Sequence, residues 1–294
     1  MLDPLVSIVI PCYNHEDFVQ DSIQSVIDQT YDNIELIIID DSSKDNSISK
    51  IQDMVDSCEQ RFVRFEFRSR PNKGLSETLN EAIEWCEGEY YSATASDDII
   101  LKDKIQIQVD FLVEHQDISA VFGGVKLIDE NNKILSTRLR DAELYSFEKI
   151  IMHKQDLPAP TQMIRLESIK KVGGYDPSLV IEDWYMWLKL IKVGNIFYIN
   201  EVFALYRQHD NNISKNLVKM QQGKLDVLSC FKDSVYYDKA IANVKWMNAY
   251  DDYRYNKANK RASFLTLFHM KPFKAANLIV KMVIKKVKSK FISK

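Results

Sequence analysis

The first 94 residues alternate short apolar runs with stretches of helical periodicity, and this alternation restricts the fold more than any other feature. The runs at 6–10, 34–39 and 90–94 are rich in β-branched or aromatic residues and too short for helices, and 63–67 alternates apolar with charged residues. Apolar residues at helical spacing follow the runs at 6–10, 34–39 and 63–67. They lie within 19–27, 48–55 and 75–86. Strands separated by such helices predict an α/β fold with a mainly parallel central sheet flanked by helices.

Polar and charged side chains follow each of the four predicted strands. Pro11 comes directly after the first strand, and because proline has no N–H to continue a central ladder, the chain is expected to leave the sheet there. The carboxyl ends of parallel strands share one edge of a sheet, where ligands bind. The residues expected at this edge are Pro11, Tyr13, Asp40, Asp41, Asn72, Lys73, Gly74, Asp97 and Asp98.

The segment Ser96-Asp97-Asp98 brings two adjacent carboxylates to this edge. Mg²⁺ and Mn²⁺ prefer oxygen ligands and usually keep several waters and substrate phosphates, so one or two Asp side chains suffice to hold such an ion. A turn or helix cap before the helix predicted over 101–113 would explain the pair equally well, because Asp caps orphan amides at helix N-termini. The pair by itself leaves both interpretations open.

Composition excludes several classes of protein. A chain of 294 residues with 46% hydrophobic residues can bury a full core, and its net charge of −3 argues against a general nucleic-acid-binding protein. Its four cysteines lack a paired metal spacing, which fits reduced thiols in a cytosolic protein, and its eight glycines form no nucleotide-binding fingerprint. The first strand leaves no room for a signal peptide and no run spans a membrane, so a cytoplasmic location is expected.

Short motifs across residues 5–214 resemble those of the inverting family 2 glycosyltransferases. The motifs are Ile10-Pro11-x-Tyr13-Asn14, Asp40-Asp41-x-Ser43, Asn72-x-Gly74 with Asn80, Ser96-Asp97-Asp98, Gly173-Gly174-Tyr175-Asp176, Glu182-Asp183 with Trp187, and Tyr206-Arg207-x-His209. The resemblance implies the GT-A nucleotide-sugar-binding fold. It also implies a catalytic domain over residues 1–214, which leaves a helical C-terminal extension over 215–294.

The resemblance assigns a nucleotide site to the first strand ends. It implies that the ring of Tyr13 lies against the base and that Asp41 accepts the imide proton of uracil, with Pro11 and Asn72 in the same site. A carboxylate at this place favours a base that presents an N–H, because a buried donor without an acceptor is costly. Lys73 is a further phosphate-binding candidate. Taken alone, Tyr13 is also explained as a packed aromatic and Asp41 as a helix cap.

The resemblance also implies a divalent metal, Mn²⁺ or Mg²⁺. Asp98 is expected to bind the ion directly, and Asp97 to approach the ribose or the hydrated ion. The chain departs from the commonest family pattern at Ala95, where many members carry a further carboxylate, so a weaker site is expected. Arg207 is expected at the diphosphate and His209 at the metal, because a guanidinium and an imidazole suit such a site. A loop histidine without a ligand would also explain His209.

The catalytic base is assigned to Asp183, the second acid of the Glu182-Asp183 pair. A positioned carboxylate can accept the proton of the attacking hydroxyl, which typically contributes ~10² to 10⁴ in rate. Glu182 is expected to orient the acceptor, and Trp184 to offer it a flat apolar face. Two acids at the start of a predicted helix also suit the helix dipole without any chemistry.

The function implied is transfer of a hexose or N-acetylhexosamine from a UDP-sugar to a hydroxyl of a glycan or lipid-linked oligosaccharide, in capsule, O-antigen or related surface polysaccharide synthesis. A processive synthase is not expected, since the chain has neither a Gln-x-x-Arg-Trp motif nor membrane spans. Two alternatives stay open. One is a sugar nucleotidyltransferase, although the Gly-rich loop of those enzymes is missing. The other is a non-catalytic assembly partner, which the departure at Ala95 hints at.

The C-terminal stretch 271–294 contains eight lysines and no acidic residue, interleaved with apolar residues. This pattern predicts a basic amphipathic helix, and we expect it to attach the chain peripherally to an anionic membrane, at the inner face of the cell membrane. A helix packed on the catalytic domain would give the same pattern. Residues 137–144 and 154–162 are expected to be loops that contact the sugar. The sequence does not predict an oligomeric state.

Overall fold

A computed structural model describes residues 3–210, 215–255, 260–273 and 276. The chain divides into two compact units, one of Met1–Ile150 with Lys154–Lys215 and one of Ile151–His153 with Asn216–Lys294. Compactness does not test whether either unit folds by itself, so the predicted domains 1–214 and 215–294 stay a prediction.

Ten strands of the described residues form one sheet in the first unit. They are β1 Val6–Cys12, β2 Ile34–Asp40, β3 Arg64–Ser69, β4 Tyr90–Ala93, β5 Ile99–Ile100, β6 Ile118–Ile128, β7 Ile134–Arg138, β8 Glu143–Tyr145, β9 Met163–Arg165 and β10 Asn195–Arg207. Their order is β3-β2-β1-β4-β9-β6-β10-β5, with β7 beside β6 and β8 beside β10. The strands β1 to β4 pair in parallel, as do β6 and β10, and β9 runs antiparallel between the two groups. The predicted α/β fold with a mainly parallel sheet is confirmed.

Helices connect the strands and cover the sheet. In chain order they are α1 Val19–Ile27, α2 Ser47–Gln52, α3 Val55–Arg61, α4 Leu75–Trp85, α5 Lys104–Glu114, α6 Phe147–Ile151, α7 Leu166–Val172 and α8 Glu182–Leu190. A 3₁₀ turn spans Ala159–Thr161. The core explains this arrangement: Ile8 and Ile10 of β1 share one buried cluster with Leu36 and Ile38 of β2 and with Ile23 of α1. Side chains alternate between the two faces of a strand, so every second residue of β1 and β2 packs against the same layer of helices.

The prediction that the chain leaves the sheet at Pro11 is wrong, because β1 continues in register with β2 to Cys12. The backbone of β1 serves its two neighbours alternately: the Val9 carbonyl accepts the Thr94 N–H at 3.0 Å, and the Cys12 carbonyl accepts the Asp41 N–H at 2.8 Å. Pro11 therefore falls on the β4 side, where pairing between β1 and β4 has already ended at Val9. Its missing N–H faces no strand, so proline is tolerated.

The loops expected over 137–144 and 154–162 are partly regular structure, since β7 and β8 enter the first and the 3₁₀ turn lies within the second. The strand β6 was not predicted either. Its central glycines lie against neighbouring backbone: a Cβ on Gly123 would lie 2.6 Å from the Glu201 carbonyl oxygen, and one on Gly124 would lie 2.7 Å from the Arg138 carbonyl oxygen. The close approach of neighbouring backbone therefore requires glycine at these two positions. The glycines interrupt the apolar run that would otherwise have predicted the strand.

The second unit is helical in its described part, as predicted for the C-terminal extension. It contains α9 Leu217–Ser229, α10 Tyr237–Tyr255 and α11 Lys260–Met270. Ala249 and Leu267 form a small buried cluster with partly buried Trp246, Tyr250 and Tyr253. The amphipathic helix predicted over 271–294 lies outside the described residues except at 271–273 and 276. Over the described ranges, no helix has the length and apolar character that crossing a bilayer requires.

Candidate active site

Asp41, at the end of β2, holds the loop that leads into α4. Its Oδ1 accepts the backbone N–H of Lys73 at 2.8 Å and a hydrogen bond from the Arg70 guanidinium, and its Oδ2 accepts the N–H of Gly74 at 2.9 Å. Asn72 closes the same turn by donating its side-chain amide to the Asp41 carbonyl at 2.8 Å. The carboxylate predicted to read the base thus already organises the loop carrying Asn72 and Lys73. Its role toward uracil stays a prediction.

Arg70 is the cation of this loop that sequence reasoning missed. Besides its ion pair with Asp41, it donates to Glu81 at 2.8 Å and to the hydroxyl of Thr78 at 2.8 Å, and it is nearly buried. By contrast the Lys73 side chain is 55% exposed and lies 3.3 Å from Glu81. The sequence feature that could have identified Arg70 is its position directly after β3, at the same edge of the sheet as the residues that were selected. The ammonium of Lys73 is accessible, and its contact with a phosphate stays a prediction.

The loop after β1 carries Tyr13 and is tied to the loop after β2. The Tyr13 side chain is 46% exposed, as a ring that receives a base would be. Asn14 next to it has φ 55°, a left-handed conformation that Asn tolerates. Its Oδ1 accepts the Lys44 N–H at 2.7 Å, and its own N–H donates to Ser43 Oγ at 2.9 Å. The edge that carries Pro11 and Tyr13 is therefore fixed relative to β2.

Asp97 and Asp98 are both buried just beyond β4. Asp97 Oδ2 lies 2.7 Å from His209 Nε2, and Asp98 Oδ1 accepts the Arg207 N–H at 2.9 Å. Burial opposes ionisation of Asp97, but the hydrogen bond with His209 and the charge of His15 outweigh it, so the pKa of Asp97 is lowered. Burial, reinforced by the charge of Asp97, raises the pKa of Asp98 well above its usual range. A cation at this point would relieve the repulsion between the two carboxylates.

Arg207, predicted to contact the diphosphate, is fully buried. Its guanidinium donates to the Asp97 carbonyl at 2.8 Å, to Asn132 Oδ1 at 2.6 Å and to the Asp21 carboxylate at 3.3 Å. It also lies over the Phe18 ring, 4.6 Å from its centroid. These contacts connect the Asp-Asp turn to the loop after β6. The diphosphate contact stays a prediction, and the observed role of Arg207 is to hold Asp97 in place.

Among the described residues, His15, Asp97 and His209 form a group whose possible ligand atoms all lie within 4.8 Å of one another. His15 Nδ1 is 2.7 Å from Ser96 Oγ, and the two imidazole rings meet edge to face at 5.6 Å. Two nitrogens and one carboxylate suit a divalent ion that tolerates imidazole, such as Mn²⁺. Sequence reasoning selected His209 and missed His15. Asp98 stays a predicted ligand, with one of its oxygens directed at the Arg207 backbone.

Glu182 and Asp183 open α8, as predicted, and both are half-buried. Asp183 Oδ1 accepts the N–H of Trp184 at 2.6 Å. Burial raises the pKa of Asp183, and burial together with the charge of Asp183 raises the pKa of Glu182 to about 8. The expectation that Trp184 offers a sugar-binding face is wrong: the side chain is 1% exposed, and its indole N–H donates to the Ile150 carbonyl at 2.8 Å.

Tyr206, near the end of β10, links the two acidic groups. Burial, together with the charges of Asp98, Asp183 and Asp97, raises the pKa of its hydroxyl to about 12. The pKa of Tyr206 thus responds to carboxylates of both the predicted metal site and the predicted base. The fold thus brings together at one edge residues that are far apart in the sequence.

Comparison with known proteins agrees with this geometry. The model of the family described as "Glycosyl transferase family 2" matches residues 7–173. The chain is 32% identical over 216 residues to an uncharacterized glycosyltransferase of Rickettsia typhi, covering 70% of this chain and 65% of the relative. It is 30% identical over 243 residues to the Escherichia coli UDP-Glc:alpha-D-GlcNAc-diphosphoundecaprenol beta-1,3-glucosyltransferase WfgD, covering 81% of this chain and 92% of the relative.

A solved structure shares the fold. The mannosyltransferase PcManGT of Pyrobaculum calidifontis, in complex with GDP-Man and Mn²⁺, superimposes with a TM-score of 0.65 at 14% identity, covering 98% of this chain and 81% of that chain. The predicted GT-A fold is confirmed.

The chain belongs to glycosyl transferase family 2, as its motifs predicted. It is therefore a glycosyltransferase, and neither alternative class finds support in these matches.

Proposed function

We propose that the chain is an inverting, metal-dependent glycosyltransferase that moves a hexose or N-acetylhexosamine from a UDP-sugar to a hydroxyl of a glycan or lipid-linked oligosaccharide in surface polysaccharide synthesis. The observation that carries this proposal is the group of His15, Asp97 and His209, whose possible ligand atoms lie within 4.8 Å of one another at the carboxyl ends of the strands. A metal–diphosphate site beside a carboxylate base is what single-step sugar transfer needs. The E. coli relative, whose name gives UDP-Glc as donor and a lipid-linked sugar as acceptor, supports both substrates.

Asp183 acts as the base in this proposal. It accepts the proton of the acceptor hydroxyl while the hydroxyl oxygen forms a bond to the anomeric carbon, and the bond from that carbon to the diphosphate breaks. Attack opposite the leaving group inverts the anomeric configuration without a covalent enzyme intermediate. Burial raises the pKa of Asp183, which makes its carboxylate a stronger base than an exposed one.

The donor binds along the strand ends. The exposed ring of Tyr13 lies against the base, and Asp41 accepts the uracil N–H. The existing hydrogen bonds of Asp41 do not prevent this, because a carboxylate offers about four acceptor positions and three are used by Arg70, Lys73 and Gly74. Pro11 and Asn72 line the same site.

Asp97, Asp98 and His209 are the proposed holders of Mn²⁺ or Mg²⁺. The His–Asp–His group supports a divalent ion, because a purely structural turn would not need three possible ligand atoms so close together. Mn²⁺ also accompanies the nucleotide sugar in the mannosyltransferase complex. When bound, the ion supplies Lewis-acid neutralisation of charge on the departing nucleoside diphosphate. Lys73 and Arg207 add positive charge on the protein side.

A lipid-linked acceptor places the reaction at a membrane. We propose that the chain works at the cytoplasmic face, with the basic stretch 271–294 as the segment that attracts anionic lipid. Liposome flotation of the full chain and of a chain ending at residue 270 tests this. Equal flotation on anionic vesicles would contradict the attachment.

Calorimetric titration of UDP into the full chain tests the donor site, since it needs no knowledge of the acceptor. We expect binding with Mn²⁺, weak binding with EDTA, and loss of the metal effect in Asp98→Asn. This variant keeps an acceptor for the Arg207 N–H but removes the charge. Asp110→Asn, on the exposed face of α5, is the matched control. Absence of UDP binding under every condition would overturn the uridine assignment.

A further inference from the structure

We propose that His15 is a further ligand of the divalent metal, so that a His–Asp–His group from three different strand ends binds the ion together with Asp98. This inference rests on the proposed function and adds a residue to its metal site. His15 follows β1, Asp97 follows β4 and His209 follows β10, and their ligand atoms lie within 4.8 Å of one another. Parallel strands bring these ends to one edge whether or not an ion is present.

The spacing of the group suits a shared ion. Donor atoms about 2.1 Å from one ion lie roughly 3 to 4 Å apart, so a group within 4.8 Å needs only small side-chain rotations to close. Asp97 Oδ2 and His209 Nε2 are already 2.7 Å apart. Ala95, three residues before Asp98, offers a methyl group and no ligand atom. An imidazole from β1 therefore supplies a donor that the β4 turn itself lacks.

The surroundings of His15 are those of an oriented ligand. Its Nδ1 bonds Ser96 Oγ at 2.7 Å, which leaves Nε2 as the nitrogen that can ligate. Metal-binding histidines usually engage their second nitrogen in this way, and the bond fixes the ring. Phe18 packs beside both rings, with centroids 6.2 Å from His15 and 5.3 Å from His209.

Two imidazoles among the proposed ligands also predict which ion the site selects. Mg²⁺ favours sites made of oxygen, whereas imidazole nitrogen suits transition-metal ions. The wild-type chain should therefore bind Mn²⁺ more tightly than Mg²⁺ in the presence of UDP. Replacing the nitrogen of His15 should reduce that preference.

The test measures Mn²⁺ binding directly, from the loss of the free-ion electron paramagnetic resonance signal on titration into UDP-saturated protein. His15→Asn places an amide near the position of Nδ1, keeps a partner for Ser96 and removes Nε2. We expect its Mn²⁺ affinity to fall at least about tenfold, the loss that even an outer-shell partner of a metal ligand produces. His15→Gln, which places an amide oxygen near Nε2, should retain more of the affinity. His115→Ala, on an exposed histidine at the end of α5, is the matched control and should bind as wild type.

The outcomes separate this inference from the proposed function. Retained Mn²⁺ affinity in His15→Asn, together with loss in His209→Ala, would overturn the role of His15 and leave the metal-dependent transferase standing. No Mn²⁺ binding by the wild-type chain, with UDP still bound, would overturn both. A thermal melt accompanies each variant. The backbone bonds of residue 15 to Ser47, Phe18 and Val19 do not depend on its side chain, so the variants are expected to fold.

Discussion

The side-chain amide of Asn80 exchanges two hydrogen bonds with the backbone of Tyr175, donating to its carbonyl at 2.8 Å and accepting its N–H at 2.8 Å. The two residues lie 95 positions apart, and the pair fixes the loop that leads to Asp183. Gly174 is part of the same arrangement. Its φ is +74°, and a Cβ there would lie 2.6 Å from Asn80 Oδ1, so no other residue fits.

Asn80→Ala should therefore lower stability and catalysis together. Removing the amide leaves a backbone donor and acceptor without partners, at a cost of about 1 to 3 kcal/mol. The turnover number should fall more than the affinity for UDP, because the loop precedes Asp183 and not the nucleotide site. Urea unfolding and UDP titration measure the two effects. Unchanged stability would contradict the role assigned to this pair.

Asp183→Asn should separate binding from turnover. Loss of the base is expected to lower the transfer rate by ~10² to 10⁴ while UDP affinity stays within about twofold of wild type. The transfer rate is measured as UDP released in the presence of donor and acceptor, and the affinity as the calorimetric Kd for UDP. Both are compared between the variant and wild type. A variant that keeps full turnover would remove Asp183 from the mechanism. A wild-type chain that binds UDP but supports no turnover with any acceptor would favour the non-catalytic alternative.

The transfer rate of the wild-type chain should fall toward acid at a higher pH than an ordinary aspartate would give. The base works only when ionised, and burial raises the pKa of Asp183. Glu182 ionises near pH 8, so its charge adds to that of Asp183 only above neutrality. Rate profiles from pH 5 to 9 for wild type and Glu182→Gln test this. Any change in the wild-type profile near pH 8 should be absent in the variant.

Arg70→Met should destabilise the chain by about 3 kcal/mol, because it leaves the buried Asp41 carboxylate without its cation. It should also weaken UDP binding, since the loop held by Asp41 loses one of its anchors. Lys73→Met is the matched control for stability: the lysine side chain is 55% exposed, so loss of its ion pair with Glu81 should change stability by less than about 0.5 kcal/mol. Equal losses of stability in both variants would show that burial of the Arg70 pair is unimportant.

Lys104→Met should flatten the dependence of stability on pH. The ammonium is buried, donates to Ser92 Oγ at 2.7 Å and to the Gln162 carbonyl at 3.0 Å, and burial lowers its pKa from 10.5 to about 7. Between these values the unfolded chain holds the extra proton, so this residue makes stability rise with pH by about 1 kcal/mol per unit. Urea midpoints at pH 7 and 9 measure the slope. An unchanged slope in the variant would contradict this.

The sequence predicted the first half of the sheet well and the second half poorly, for a physical reason. The strands β1, β2 and β4 are buried on both faces and read as continuous apolar runs. By contrast β7 is an exposed ribbon, β8 and β9 are three residues long, and glycines interrupt β6. Nothing local distinguishes such segments from loops.

The candidate site was predictable to the same extent. Asp97 was selected because it follows an apolar strand, and Asp183 because the Glu182-Asp183 pair matches a motif of the family. His15 and Arg70 were missed because their significance lies in partners from other strands, Asp97 for His15 and Asp41 for Arg70. The prediction that Arg207 contacts a ligand did not anticipate its burial. That burial comes from packing against Phe18, which is distant in the sequence.

Pro11 has a consequence for how the donor enters. On the side of β1 where β4 has ended, any other residue would present an N–H to the opening between the two strands. A water molecule bound to that donor would have to be displaced by an arriving nucleobase, and the lost hydrogen bond would weaken binding. Pro11 has no N–H to bind such a water molecule, so under the proposed function a base that binds against the exposed ring of Tyr13 would not have to displace one.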